Sequence, residues 1–202
     1  MNTFKVAVLI SGNGSNLQAL IDSFKKEDSD IDINCVISNK KDAFGLERAA
    51  RASIDNHFVD HTKFKNRETF DQELIQILDG YDPDLIVLAG FMRILSEVFI
   101  EKYMGKLINI HPSLLPKYPG LDTHQKVIEN NDRLHGVTVH YVDKSLDSGP
   151  VCGQSMLEVE TTDVEELQNQ IHKLEHKLYP HIVSLIAEGK MTFDKGKVIK
   201  NT

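Results

Sequence analysis

Three things are scarce in this sequence, and each scarcity narrows what it can do. Cysteine occurs only as Cys35 and Cys152, far apart and each in an apolar, strand-like run. That usage argues against a disulfide framework and fits reduced core thiols better than a catalytic pair. Basic charge is outnumbered, with 23 Lys and Arg against 30 Asp and Glu and a net charge of -7. A broad basic face for nucleic acid or anionic membrane is therefore not expected, while a local pocket for one phosphate is compatible with this balance. Long apolar runs are missing too: nothing approaches the roughly 20 residues of a membrane span, and the run after Met1-Asn2-Thr3 is too short for a signal peptide with its cleavage site. A cytoplasmic location is expected. With no repeat, low-complexity tract or linker, the 202 residues, 41% of them hydrophobic, suit a single domain over 1–202.

What is present is a regular alternation. Phe4 to Ile10 is a continuous apolar run of strand length; Ser11-Gly12-Asn13-Gly14-Ser15-Asn16 follows, and then Leu17, Leu20, Ile21 and Phe24 recur at helical spacing. Strand readings at Ile31 to Ser38, His57 to Val59 and Asp84 to Gly90 alternate with helical ones at Phe44 to Ala52 and Arg67 to Leu78. Such succession predicts an α/β, Rossmann-like fold, a mostly parallel central sheet with helices on both faces. Later come a short helix over Thr123 to Glu129, strands over Leu134 to Val142 and Pro150 to Val159, and a hairpin over Met191 to Ile199.

Ligands of open α/β sheets bind at the carboxyl ends of strands, which directs attention to the strand-end segments. The glycine-rich turn predicts backbone N–H groups of Gly14, Ser15 and Asn16 at a helix N-terminus, where dipole and small side chains favour a phosphate. A dinucleotide fingerprint would need a third glycine where this chain has Leu17. A lone phosphate is the better fit, with a plain tight turn as the alternative. Phe91-Met92-Arg93-Ile94-Leu95 is unusually apolar for a loop; it walls a pocket for a flat ring or packs under the following helix.

The chemical centre is read at Asn109-Ile110-His111-Pro112-Ser113-Leu114-Leu115-Pro116. Lys106 to His111 predicts a strand, and alternation sets Asn109 and His111 on one side of it. An amide can donate to a developing oxyanion, and an imidazole can give or hold a proton near neutrality. No serine, cysteine or lysine nucleophile is needed. In a structural role the same two side chains would satisfy backbone groups at the strand end. Asp147, in the turn Asp147-Ser148-Gly149, is a further candidate: brought near His111 it would stabilise the imidazolium and order a water for proton transfer.

The last long helix is predicted to start at a capping box, Thr162-Asp163-Val164-Glu165, and to face the sheet with Leu167, Ile171, Leu174, Leu178, Ile182 and Leu185. Within it His172-Lys173-Leu174-Glu175-His176 matches the inverted zinc-protease pattern H-x-x-E-H, a five-residue match common by chance. Glu175 is read instead as a lone carboxylate facing the pocket, and no metal is expected.

Four pieces, Ser11 to Leu17, Ala89 to Leu95, Asn109 to Pro116 and Leu146 to Pro150, together resemble the phosphoribosylglycinamide formyltransferase family of purine biosynthesis, over nearly the whole chain. The asparagine-histidine strand end and later aspartate are common to formyltetrahydrofolate-using enzymes, whereas the Gly-Asn-Gly-Ser-Asn turn points to the glycinamide ribonucleotide branch. The resemblance implies a formyltransferase domain with Asn109, His111 and Asp147 catalytic. It implies that Gly14, Ser15 and Asn16 bind the phosphate end of glycinamide ribonucleotide and Glu175 its glycinamide end. Met92, Arg93, Ile94 and Leu95, with Arg67 and Asn109, would hold 10-formyltetrahydrofolate as co-substrate. A methionyl-tRNA formyltransferase would be expected to add a basic nucleic-acid-binding domain, and a formyltetrahydrofolate hydrolase an N-terminal regulatory one. A nucleotide-binding sensor would use the glycine turn without His111 and Asp147.

Overall fold

The computed structural model describes residues 3–25 and 29–201; Met1 and Asn2, the start of the segment read above for a signal, lie outside them. The chain forms two compact units, one up to Ile108 and one from Asn109.

In the first unit β1 (Phe4–Ile10) pairs in parallel with β2 (Ile31–Ser38) on one side and β4 (Leu85–Leu88) on the other, and β2 pairs in parallel with β3 (Asn56–Phe58). Val6 to Ile10 are fully buried without alternation. A strand buried on both faces is what continuous Val, Ile and Leu runs specify. Between the strands lie α1 (Ser15–Ser23), α2 (Phe44–Arg51) and α3 (Arg67–Tyr81), and α4 (Glu97–Lys102) follows β4. The start of α3 is set by Asn66, which accepts the Thr69 N–H at 2.9 Å in a reciprocal capping box. β4 is shorter than the apolar run, because Gly90 takes a left-handed φ of 74° and turns the chain away.

The second unit carries most of β5 (Leu107–His111), then α5 (Thr123–Glu129), β6 (Leu134–Tyr141), β7 (Val151–Glu158) and α6 (Val164–Ala187). β6 and β7 are antiparallel, and β8 (Met191–Asp194) and β9 (Lys197–Lys200) close the chain as a two-stranded hairpin. The main sheet has seven strands in the order β3-β2-β1-β4-β5-β6-β7, mostly parallel and flanked by helices.

Two expectations for α6 are corrected. Its N-cap is Asp163, whose Oδ1 accepts the Glu165 and Glu166 N–H groups at 2.8 and 3.1 Å; Thr162 does not cap. The buried line is rotated from the leucine stripe: Leu167, Ile171, Glu175, Tyr179, Ile182 and Val183 are buried, while Leu174, Leu178 and Leu185 flank them half-buried. A carboxylate thus occupies the middle of the buried face, and an apolar count gives that position no weight.

Candidate active site

β5 delivers Asn109 and His111 two residues apart, half-buried and buried respectively. Past the strand the chain is fastened to β6 and β7. Thr138 Oγ1 donates to the Ser113 carbonyl at 2.6 Å and accepts the Leu115 N–H at 3.1 Å, and Gln154 Nε2 donates to the Leu115 carbonyl at 2.9 Å. The strand end is therefore held from two sides, as a site that must keep its geometry requires.

Asp147 reaches this point from the loop between β6 and β7, with a left-handed φ of 50°. Its Oδ2 lies 3.4 Å from His111 Nδ1 and accepts the Gly120 N–H at 2.8 Å, and its Oδ1 lies 3.8 Å from His140 Nε2. His111 Nε2 is 2.8 Å from the Tyr118 carbonyl. Both ring nitrogens of His111 thus face acceptors, an arrangement that only a ring carrying both protons satisfies fully.

His140 is the member that sequence reasoning missed. Its Nδ1 donates to the Tyr141 carbonyl at 2.9 Å, which leaves Nε2 to accept from Asn109 Nδ2 at 3.3 Å. Burial pushes the His140 ring below its ordinary value, in keeping with a neutral acceptor. One amide proton of Asn109 is committed to this contact and the other is available to a ligand. A titratable residue directly after the run Val137-Thr138-Val139 of β6 was the signal that could have found it.

Glu175 is buried on α6. His172 and His176 on the same helix stack with ring centroids 6.2 Å apart and planes 11° apart. Among the described residues no group of three or more His, Cys, Asp or Glu side chains is placed to hold a metal ion. Cys35 and Cys152 are free and buried, and burial pushes both thiols up to about 12.

In the first unit the glycine turn leads into α1 through Gly14, in a left-handed conformation with φ 73° and no side-chain cap. The glycine at 14 is required by the fold itself. A Cβ there would lie 2.7 Å from the Cα of Gly45 in α2, so two backbones in contact require the glycine. Gly12 has open space at the same construction, and its carbonyl accepts the Gly45 N–H at 3.1 Å. Arg48, unremarked in the sequence, clamps the turn: Nε and Nη2 donate to the backbone and side-chain oxygens of Asn13 at 2.9 and 3.1 Å, and Nη1 to Gln18 at 3.1 Å.

Of the apolar segment after β4, Met92, Arg93 and Ile94 are exposed whereas Phe91 and Leu95 are buried. Leu95 anchors the segment and offers no surface. Arg67 opens α3 with a half-exposed side chain 3.8 Å from Glu68.

Residues 4–183 match the formyl transferase family. The chain is 50% identical over 187 residues to phosphoribosylglycinamide formyltransferase of Escherichia coli (strain K12), covering 92% of this chain and 88% of that protein. It is 42% identical over 196 residues to the human trifunctional purine biosynthetic protein adenosine-3, covering 96% of this chain but 19% of that longer protein. Among solved structures, phosphoribosylglycinamide formyltransferase from Coxiella burnetii, in complex with CHES, aligns with a TM-score of 0.93 at 45% identity over 98% of this chain and 93% of that one. Glycinamide ribonucleotide transformylase 1 from Symbiobacterium toebii aligns with a TM-score of 0.95 at 36% identity over 100% and 95%.

Proposed function

Since the chain belongs to the formyl transferase family and within it to the phosphoribosylglycinamide formyltransferases, we propose that it transfers the formyl group of 10-formyltetrahydrofolate to the amino group of glycinamide ribonucleotide, in de novo synthesis of the purine nucleotide IMP. The 202 residues act as one formyltransferase domain on small molecules, in the cytoplasm, without nucleic acid or membrane partner. No helix of the described residues is long and apolar enough to cross a membrane. The observation that carries the catalytic reading is the His111–Asp147 pair at 3.4 Å, beside an Asn109 amide oriented by His140.

The chemistry follows from those groups. The free amine of glycinamide ribonucleotide attacks the formyl carbon, forming a new C–N bond and a tetrahedral oxyanion. Asn109 donates its remaining amide proton to that oxygen, and His111 donates Nε2–H once the ligand displaces the Tyr118 carbonyl. A well-placed donor of this kind is worth about 2.7–4 kcal/mol of barrier. Asp147, 3.4 Å from His111 Nδ1, holds the ring in place. The bond from the formyl carbon to N10 then breaks; N10 gains a proton while the attacking nitrogen loses one, passed through water beside Asp147. The steps use no metal and no covalent bond to the protein. Holding both reactants side by side removes up to roughly 7–11 kcal/mol of entropic and reorganisation cost.

The glycine turn at Gly14, Ser15 and Asn16 receives the phosphate end, and Glu175 the glycinamide end. Met92, Arg93 and Ile94, supported by Leu95 and with Arg67 and Asn109, receive the folate. Mixing protein, 10-formylfolate and glycinamide ribonucleotide, and following the folate spectrum with each component omitted in turn, tests this function. A spectral change that needs all three is expected. Formyl loss without the ribonucleotide would mean hydrolysis, and no change would mean a binding protein.

A further inference from the structure

The β1–β4 ladder ends where Ala89 N–H donates to the Leu9 carbonyl at 2.9 Å. Beyond that rung the two chains part, one into the glycine turn and one into the segment 91–95. Ser11 spans the gap. Its hydroxyl accepts the Met92 N–H at 2.8 Å and donates to Asn39 Oδ1 at 2.5 Å. Ser11 and Asn39 are 3% and 2% exposed, so the bond between them is shielded from competing water, and the Met92 N–H bond is partly so. Asn39, just past β2, continues the network, with its amide nitrogen 3.3 Å from His61 Nδ1. At its other end the segment is held by Asp71 of α3, whose Oδ2 accepts the Ser96 N–H at 2.5 Å. Between these two pins Met92 and Ile94 stand out at 63% and 66% exposed.

We propose that Ser11 is a positioning residue for both substrates: its hydroxyl fixes the glycine turn and the 91–95 segment at one mutual spacing, so that the phosphate site and the apolar folate wall are set by a single group. The proposal rests on the reading of those two segments given above. Packing alone does not explain the residue. An alanine would fill the same buried end of β1, but it would leave Met92 N–H and Asn39 Oδ1 without the partner that joins them. Ser11 itself touches neither reactant, so its effect falls on binding and spares the chemical step.

The test is Ser11→Ala, read by equilibrium binding of tetrahydrofolate and of glycinamide ribonucleotide separately, by kcat at saturation of both substrates, and by the thermal midpoint. Both dissociation constants are expected to rise about tenfold, the scale of one shielded hydrogen bond, with kcat within about threefold of wild type. A change in only one ligand, or in neither, overturns the proposal. If Ser11→Ala shows no cooperative thermal transition, Ser11→Cys, close in shape and weaker in hydrogen bonding, is held to the same criteria. Ile94→Ala separates this proposal from the reading beneath it. If Ile94→Ala weakens tetrahydrofolate alone while Ser11→Ala does not weaken it, the coupling is wrong and the folate wall stands. If Ile94→Ala leaves tetrahydrofolate binding unchanged, the wall is misplaced and the coupling falls with it.

Discussion

His111 and Asp147 face each other across 3.4 Å, from a strand end and from a loop 36 positions further along the chain (147 − 111 = 36). Each also touches the segment after Pro116: His111 through the Tyr118 carbonyl and Asp147 through the Gly120 N–H. His111→Ala and Asp147→Asn should each lower turnover by at least about a hundredfold, the usual scale for lost acid-base or oxyanion help. Steady-state kinetics with circular dichroism as a control for folding checks this; near-normal turnover in either variant removes that residue from the mechanism.

His140 acts one step further back. His140→Phe keeps the ring volume and removes the acceptor that orients Asn109. Turnover is expected to fall about tenfold, the worth of one hydrogen bond to a catalytic group, with the Michaelis constant for glycinamide ribonucleotide little changed. An equal loss in both parameters would point to general damage at the strand end.

The glycine turn allows a cleaner contrast than Gly14 alone provides. Gly14→Val forces a side chain against Gly45 at a left-handed φ and should destabilise the fold by about 2 kcal/mol or more, visible as a lowered thermal midpoint. Gly12→Val, with open space around it, should leave the midpoint nearly unchanged and raise the Michaelis constant for glycinamide ribonucleotide while sparing the folate. Equal weakening of both ligands by Gly12→Val would contradict the assignment of the turn.

Metal removal tests the pattern on α6. Incubation with a chelator followed by desalting should leave turnover unchanged, with elemental analysis showing no stoichiometric zinc. Zinc bound one to one, and activity lost with it, would revive the hydrolase reading of His172 and His176.

Acid sensitivity should come from His124 and His135, whose Nδ1 and Nε2 lie 2.9 Å apart. Burial first, then neighbouring imidazoles, pushes both rings from 6.5 down to about 4. Protons therefore bind the unfolded chain more strongly, and the stability that neutral rings contribute is complete above 6.5 and lost as pH falls toward about 4. Denaturant unfolding across that window should show a shallower pH slope in His135→Asn than in wild type. An identical slope would assign the acid sensitivity to other groups.

How much of this was legible beforehand depended on whether a side chain or the backbone carries the feature. β1, β2 and α5 have the bounds that the sequence predicts: the two strands through their apolar runs, most continuous in β1 where burial on both faces leaves no alternation, and α5 through the turn residues that flank it. Asn109 and His111 were legible through strand alternation, and Asp147 through the resemblance. Tyr118 and Gly120 contribute a carbonyl and an N–H, which no residue letter encodes. Arg48 carries no local signal, and only the fold brings it to Asn13. Gly14 was read as a phosphate-binding position; its backbone partner Gly45 lies 31 positions away (45 − 14 = 31), so that contact could not be read locally.

The pinned segment after β4 has a consequence for the protein between turnovers. Held at Met92 and Ser96, it keeps Met92 and Ile94 exposed. The protein therefore carries a small exposed apolar spot. Like-charged copies repel, so the surplus of acidic residues opposes self-association through that spot. Crowding with other molecules should then be least tolerated at high salt, where the repulsion is screened.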